Sequence, residues 1–450
     1  MSGVIEQPRF SCALAAQQTV LAIPRALPIV HAGPGCSAKV FQFASYGAGY
    51  QGEGYGGGWA VSCTNSSEQE VVFGGEDKLR QLITGALQVL KSDMFVVLSG
   101  CTAGIVGDDV EQVASEFADA DRPVIGAETS GFKGNSYFGH ELVVKKIIGR
   151  LLDDAEPDIR PGLVNVFSVV PGQNPFWRAD LEEIKRLLQA VGLGVNILFG
   201  NESAGVSEWR DIPNAQFNLV LSSWVGLETA ELLREKYGTP YFHFPYVPMG
   251  AAGTSKFLRA IGDFAALPAS RVEAVVAGEE KRFYGYFVAL ADFISESRNN
   301  LPFDLYVIAD SSYAIGAADY LVNELGFAPQ MIYLTDVADT RKHAAIERIL
   351  LDSSPEFAGR VRFEMDGGKI QADLRARLGN SGQAAILGST WEDALAAENN
   401  NLLVRMSLPI NDDVIVTRSF AGYNGGLRLL EEIYAGVFRK GNIAQTTQTQ

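Results

Sequence analysis

The chain has 450 residues, of which 47% are hydrophobic, and its formal net charge is −16. At roughly 150 residues per domain, this length predicts about three domains with sizeable cores. The negative charge would repel a nucleic-acid backbone and an anionic lipid surface, which disfavours both as partners.

Apolar runs rich in β-branched residues alternate with helical patterns and predict buried parallel strands. These runs are FVVLSG at Phe95, VNVFSVV at Val164, VNILFG at Val195, FNLVLSS at Phe217, LYVIAD at Leu305, MIYLTD at Met331 and AAILGS at Ala384. Residues 179–192 carry an apolar stripe at helical spacing that ends in Gly192, which predicts a helix and its stop. We therefore predict an α/β fold of three Rossmann-like, doubly wound domains with mostly parallel sheets.

Polar stretches that contain proline mark the expected domain boundaries. LLDDAEPDIRPG separates a first domain, 1–158, from a second, 159–300, and ESRNNLPFD precedes a third, 301–440. The glycine-rich segment YGAGYQGEGYGGG, which begins at Tyr46, predicts a loop. The polar tail, 441–450, predicts disorder.

The N-terminal sequence MSGVIEQPRF lacks the layout of a secretory signal, and the chain has no run of 18 or more uninterrupted apolar residues. We therefore expect a cytoplasmic protein without a membrane partner. All four cysteines, Cys12, Cys36, Cys63 and Cys101, lie in the first quarter of the chain. Because a reducing cytosol disfavours disulfides, each cysteine is either inert and buried or a metal ligand.

Two of these cysteines follow predicted strands. Cys36 comes after the apolar run ALPIV and a Gly-Pro-Gly turn, and Cys101 directly follows FVVLSG. A cysteine at the carboxyl end of a parallel strand points into the ligand crevice, and neighbouring glycines let a bulky inorganic cluster approach the backbone. Thiolate sulfur is the ligand that iron–sulfur clusters use. Core burial beside tight turns explains the same pattern, so the residues alone leave both interpretations open.

Several common motifs are missing from the sequence. There is no GxxxxGK(S/T) loop, no HExxH and no CxxC, and HAGPGC at 31–36 continues as SAKV without the third glycine of a GxGxxG dinucleotide fingerprint. ATP, NAD and the commonest zinc sites are therefore disfavoured. The four scattered histidines are expected to be packed or surface residues: His31, His140, His243 and His343.

Four segments resemble, in order and spacing, the N-terminal domain of nitrogenase component-1 subunits. They are HAGPGC (31–36), EVVFGGEDKL (70–79), SGCTAGIVGDDV (99–110) and SGFKGNSYFGH (130–140). Further along, PFWRADLEEIKRLLQAVG, GTPYFHFPYVPMGAAGTSKFLR and VTRSFAGYNGGLRLLEEIY resemble β-type subunits. The resemblance covers nearly the whole chain.

The resemblance implies that Cys12, Cys36 and Cys101 ligate an 8Fe-7S P-cluster shared with an α-type subunit in an α2β2 heterotetramer. It also implies an ATP-hydrolysing iron protein as the electron donor and an iron–sulfur active-site cofactor in the α-type chain. No cysteine follows Cys101, which agrees with the β-type assignment. Cys63 matches no cluster ligand of the family.

Two further residues match positions of interest in the family. Ser130 lies near a position where β-type subunits carry a serine that joins the oxidised cluster, and the alternative is a turn or capping hydroxyl. Phe73 matches an aromatic residue at the surface where the iron protein docks, and the alternative is core packing after Val71 and Val72. We expect Phe73 in a loop before a helix that begins near Glu76.

The expected function is electron relay in a nitrogenase-like reductase that reduces dinitrogen or cleaves the C–S bond of a methylthio-alkane. The compact N-terminus and the residues of the HAGPGC segment differ from those of many molybdenum-nitrogenase β subunits, so both substrates stay open. Two other functions share this fold and also stay open. They are a scaffold subunit for cofactor assembly and a subunit of a protochlorophyllide-type reductase.

Overall fold

A first parallel sheet occupies the N-terminal region of the computed structural model, which describes residues 6–50, 61–297, 301–337, 339–379, 383–398 and 400–448. Its strands are β1 (Ala26–His31), β3 (Ser62–Cys63), β4 (Met94–Ser99) and β5 (Val124–Ala127), in the order β3-β1-β4-β5. Strand β2 (Ala48–Tyr50) lies outside this sheet. The helices of this region are α1 (Ala16–Leu21), α2 (Pro34–Gly47), α3 (Glu68–Phe73), α4 (Glu76–Val89), α5 (Cys101–Val106), α6 (Val110–Ser115) and α7 (Ser136–Leu151).

A second parallel sheet follows in the chain. It contains β6 (Arg160–Phe167), β7 (Gly194–Asn196), β8 (Ala215–Leu221) and β9 (Tyr241–Phe244), in the order β7-β6-β8-β9. Its helices are α8 (Trp177–Val191), α9 (Val206–Arg210), α10 (Leu227–Tyr237), α11 (Gly250–Phe264) and α12 (Ala269–Ser297). The predicted stop of α8 is confirmed, because Gly192 caps it with a φ of 104° that favours glycine.

The third parallel sheet has five strands. These are β10 (Asp304–Ala309), β11 (Ala328–Leu334), β12 (Val361–Phe363), β13 (Ala384–Gly388) and β14 (Leu402–Arg405), in the order β12-β11-β10-β13-β14. The remaining elements are strand β15 (Ile410–Val414) and helices α13 (Ser311–Asp319), α14 (Thr340–Ser353), α15 (Gly367–Leu378), α16 (Asp393–Glu398) and α17 (Gly422–Gln448). The α/β class with parallel sheets is therefore confirmed, whereas the domain boundaries stay predictions.

Several contacts join regions that are far apart in sequence. Strand β2 pairs with β15, and Gly49 in β2 has a φ of 81° at a position where a Cβ would lie 2.6 Å from the Ile415 side chain. Helix α17 contacts β14 of the third sheet and also α8, α11 and α12, which follow or precede strands of the second sheet. None of the helices in the described ranges combines the length and apolar character needed to cross a lipid bilayer.

Three predictions differ from the structure. The strand expected at Val195 ends at Asn196, because Leu198 turns the chain with a φ of 65° and its carbonyl accepts a hydrogen bond from the Trp209 indole. The segment from Tyr46 ends α2 and forms β2 before residues 51–60, which lie outside the described residues. The backbone of α17 continues to Gln448, where a disordered tail was expected. Each residue added to an existing helix gains a hydrogen bond, and no proline interrupts this one.

Gly139 on α7 is a point of close backbone approach. A Cβ at this position would lie 2.1 Å from the carbonyl oxygen of Ala13, whereas a Cβ at Gly149 of the same helix meets nothing within 4 Å. We predict that Gly139→Ala lowers the free energy of unfolding by about 1–3 kcal/mol, because the 3-10 helix Ala13–Ala15 must shift. Urea unfolding of the full chain measures this change.

Gly149→Ala is the matched control for that substitution. It should stabilise the chain by roughly 0.5–1 kcal/mol, because alanine has the higher helix propensity. Equal unfolding midpoints for the two variants would contradict the close approach of α7 to the N-terminal segment.

Candidate functional site

Cys36 and Cys101 follow the two strands that flank the switch point of the first sheet. From β1 the sheet extends to β3 on one side, and from β4 it extends to β5 on the other. Cys36 comes shortly after β1, and Cys101 comes directly after β4 and Gly100. In doubly wound sheets, ligands bind in the crevice at this point. The two cysteines are therefore positioned where the fold places its ligands.

Each of the three predicted ligand cysteines lies at the start of a helix, which the sequence-based prediction missed. Cys101 is the first residue of α5, and Cys36 lies in the first turn of α2. Cys12 immediately precedes the 3-10 helix Ala13–Ala15. Backbone N–H groups at a helix start have no partner within the helix and can donate to a nearby sulfur. Pro34, at the beginning of α2, was the available signal, because proline is enriched at the first helical position.

Gly131 brings Cys12 and Cys101 together. Its N–H donates to Sγ of Cys101 at 3.2 Å. A Cβ added to Gly131 would lie 3.1 Å from Sγ of Cys101 and 3.5 Å from Sγ of Cys12. Burial raises the pKa of the Cys12 thiol, and the nearby Cys101 and Cys36 add to the rise. The structure thus brings Cys12 and Cys101 together beside a glycine that leaves room next to both sulfurs, and Cys36 is close enough to add to the rise in the Cys12 pKa.

The donor set fits an iron cluster better than a single ion. Cys12, Cys36 and Cys101 are free and partly exposed. In the described ranges, no three His, Cys, Asp or Glu side chains are close enough to hold one metal ion. A cluster spaces its thiolate ligands around several irons, and common clusters need more than three of them. Three half-exposed thiols on one chain therefore suit a cluster that a second chain completes.

Cys63 differs from these three cysteines in its local structure. It lies in β3, where its Sγ donates to the carbonyl oxygen of Ala32 at 3.3 Å and accepts the N–H of Asn65 at 3.4 Å. Burial raises the pKa of its thiol, and Cys36 is close enough to add to the rise. Cys63 is thus a near neighbour of the site whose sulfur is already used by the backbone.

Ser130 is buried beside Gly100, the residue that precedes Cys101. Its side chain is 1% exposed, and its hydroxyl is 3.2 Å from the carbonyl oxygen of Gly100 and 3.3 Å from the hydroxyl of Ser99. A hydrogen bond to Gly100 holds the residue before Cys101, which is the role that the turn-hydroxyl alternative predicts. Ligation by Ser130 stays a prediction.

Phe73 is the last residue of α3, so the predicted loop is wrong at this position. The Ser67 and Glu70 side chains form a capping box that starts this helix, and α4 begins at Glu76 as predicted. Phe73 is 82% exposed, which excludes core packing. Helix α3 contacts α5, whose Ile105 is also exposed. Val72, Phe73 and Ile105 form what we call the apolar patch, one helix away from Cys101.

A buried polar chain joins the turn after Phe73 to the end of β1. The N–H of Gly75 donates to both carboxylate oxygens of Asp108 at 3.0 Å. The same carboxylate lies 2.9 Å from Nε2 of His31, whose Nδ1 is 3.1 Å from the hydroxyl of Thr64. His31 is a packed residue, as expected. Through Asp108, its hydrogen bonds link the turn after the apolar patch to the end of β1.

Comparison with known proteins shows the family of this chain. The family model for nitrogenase component 1 type oxidoreductases matches residues 11–438. The nitrogenase molybdenum-iron protein beta chain of Rippkaea orientalis is 25% identical over 437 residues, which cover 92% of this chain and 80% of that relative. A subunit of the light-independent protochlorophyllide reductase of Angiopteris evecta is 27% identical over 382 residues, 80% of this chain and 70% of the relative.

A solved structure of nitrogenase Cp1 at pH 6.5 shares the fold. It matches with a TM-score of 0.77 at 21% sequence identity and covers 98% of this chain and 94% of its own. Because the family match spans almost all of the sequence, the chain belongs to the nitrogenase component 1 type oxidoreductase family, as a β-type subunit of an oxidoreductase complex.

Proposed function

We propose that Cys12, Cys36 and Cys101 ligate one half of an 8Fe-7S P-cluster and that an α-type subunit supplies the other half in an α2β2 complex. The observation that carries the proposal is the set of three partly exposed thiols at the switch point of the first sheet. When bound, such a cluster supplies one-electron redox chemistry between an ATP-hydrolysing iron protein and an iron–sulfur cofactor in the α-type chain.

Residues around the thiols hold the sulfur-bearing segments in place, and one of them donates a hydrogen bond to a sulfur. The hydrogen bond from the Gly131 N–H to Sγ of Cys101 stabilises the thiolate, and such bonds shift the potential of iron–sulfur sites. The Ser130 hydroxyl holds the carbonyl of Gly100 and thereby the first turn of α5. Together these contacts pre-position the thiolates and leave little reorganisation for ligand binding.

Two exposed aromatic side chains near Gly131 suit a protein interface. Phe132 and Phe138 follow Gly131 in sequence and are 59% and 40% exposed. A Cβ at Gly104 on α5 would lie 3.1 Å from the Phe132 ring. Contiguous apolar surface of this kind marks a site of protein contact. A partner on this face would complete the ligand set and exclude water from it.

We assign the apolar patch of Val72, Phe73 and Ile105 to docking of the iron protein. Its position on α3, against the helix that begins at Cys101, gives a short path from the protein surface to the thiols. An exposed phenylalanine at the centre of an interface is the kind of anchor that dominates binding energy. The His31–Asp108–Gly75 chain keeps the turn after the patch in place.

The proposed substrate is dinitrogen or a methylthio-alkane whose C–S bond is cleaved. A protochlorophyllide-type reductase is a second candidate, because the relative from the light-independent protochlorophyllide reductase matches 80% of the chain at 27% identity. The same relay residues serve all three reactions. The substrate is then chosen by the α-type partner and by the face that both chains build.

We predict that Cys12→Ala, Cys36→Ala and Cys101→Ala each remove most of the iron of the shared cluster from the complex purified with the α-type partner, while the iron of the cofactor in the α-type chain stays. Loss of one thiolate leaves an iron of the cluster without its ligand. Elemental analysis of iron per complex measures the effect. Cys63→Ala is the matched control, and it should keep the iron content of the wild type. The ligand assignment fails if Cys63→Ala loses as much iron as Cys36→Ala, or if Cys101→Ala loses none.

A second prediction concerns the apolar patch. Phe73→Ala should weaken binding of the iron protein by roughly thirtyfold, which corresponds to about 2 kcal/mol at an interface hot spot. ATP-dependent turnover should fall accordingly, while iron content, the melting temperature and turnover with an artificial low-potential reductant stay near the wild type.

Phe303→Ala is the control for this substitution, because Phe303 is also exposed, at 63%, and lies directly before β10 of the third sheet. It should leave ATP-dependent turnover unchanged. Normal ATP-dependent turnover in a well-folded Phe73→Ala variant would remove Phe73 from the docking surface.

A further inference from the structure

We call the parts of the chain that hold the first, second and third sheets the first, second and third regions. Cys12 lies at the end of a segment that first contacts the third region. We call residues 6–12 the N-terminal strap. Pro8 forms an antiparallel bridge with Asp366, and the N–H of Gly367 donates to the carbonyl oxygen of Gln7 at 2.9 Å. The strap therefore starts against residues that lie more than 350 positions later in the sequence.

A buried ion pair anchors the strap. Arg9 is 2% exposed, and its guanidinium donates to Glu392 through both terminal nitrogens, with Nη1 at 3.0 Å from Oε2. Nη1 also donates to the Ser389 hydroxyl at 2.8 Å. Glu392 is held in place independently, because its carboxylate accepts the N–H and the hydroxyl of Ser389, both at 2.9 Å. A forked pair with these extra hydrogen bonds has the geometry that two buried charges require.

Beyond its anchor, the strap forms hydrogen bonds with residues of the second and first regions. Gln173 donates to the carbonyl oxygen of Arg9 at 2.7 Å and accepts a hydrogen bond from the Ser136 hydroxyl at 2.8 Å. The N–H of Ser136 donates to the carbonyl oxygen of Ser11 at 2.8 Å, directly beside Cys12. Residues from all three regions thus hold the chain that leads to this thiol.

The distance along the strap is short. Three peptide units separate Arg9 from Cys12, and an extended chain covers roughly 10 Å in that number of residues. No helix or sheet ladder lies between them, because the first helical turn begins only at Ala13. A displacement of the Arg9 anchor therefore passes to Cys12 through Phe10 and Ser11, against the contacts that Ser11 makes with Ser136 and that Cys12 makes with Asn135.

We propose that Arg9 and Glu392 are positioning residues for Cys12, so that correct packing of the third region sets the position of a cluster thiolate on the first. This inference rests on the proposed function for its role in cluster binding. The mechanical link between the ion pair and the thiol does not depend on iron. An intact cluster then requires correct packing of the third region as well as of the first.

The test measures alkylation of individual cysteines by iodoacetamide in the metal-free full chain, followed by peptide mass spectrometry. In Glu392→Gln, we expect Cys12 to react about tenfold faster than in the wild type, which corresponds to roughly 1.4 kcal/mol in the local opening equilibrium. Cys101 should keep its rate. A merely structural role of the pair would change all the cysteines together.

Glu208→Gln is the matched control, because Glu208 is a buried carboxylate of the second region that accepts hydrogen bonds from Ile197, Ser203 and Ala204. It should leave the Cys12 rate unchanged. The double variant Arg9→Met/Glu392→Met removes both charges, so it folds without an unpaired buried ion. Cys12 should still react faster in it.

A second readout uses the complex with its partner, in which a chelator should remove iron faster from Glu392→Gln than from Glu208→Gln. An unchanged Cys12 rate in the folded double variant, or an equal acceleration in Glu208→Gln, would overturn the proposal. Wild-type iron content tests the proposed function separately, since an iron-free wild-type complex would refute cluster binding and leave the alkylation result interpretable.

Discussion

The pairing of β1 with β4 is the constraint on which the site depends. The two strands pair in parallel from Ala26 and Met94 to His31 and Ser99, so both end at the same level of the sheet. Gly100 then approaches so closely that a Cβ would lie 2.5 Å from that of Ala32, and its N–H donates to the carbonyl of His31. The segments that carry Cys36 and Cys101 therefore leave the sheet side by side.

The other parts of the site come from segments outside the first sheet. The loop after β5 contributes Gly131, whose N–H donates to Sγ of Cys101, and the N-terminal strap, which is anchored on Glu392 by Arg9, contributes Cys12. The three cysteines are partly exposed, and Phe132 and Phe138 near Gly131 are exposed as well. Exposed apolar surface favours protein contact, and under the proposed function a partner chain would also supply the remaining cluster ligands.

Most of the fold was predictable because buried parallel strands leave a strong local signal. The runs at Phe95, Leu305 and Ala384 are strands, and Gly192 ends its helix as expected. The helix starts at the cysteines were less visible, since only Pro34 signals one of them. The Arg9–Glu392 pair joins residues 383 positions apart, and no local pattern encodes such a contact. The loop predicted at Phe73, between the glycine-rich segment and α4, is the end of a short helix that the Ser67–Glu70 capping box starts.

The central claim is that this chain holds half of a cluster and needs a second chain to hold the rest. The most direct measurement is the iron content of the chain purified alone, compared with the chain purified with its α-type partner. The account predicts little iron in the chain alone and a cluster's full complement in the complex, because the missing ligands come from the partner. A stable monomer that carries a complete cluster, or a well-formed complex without iron, would contradict it.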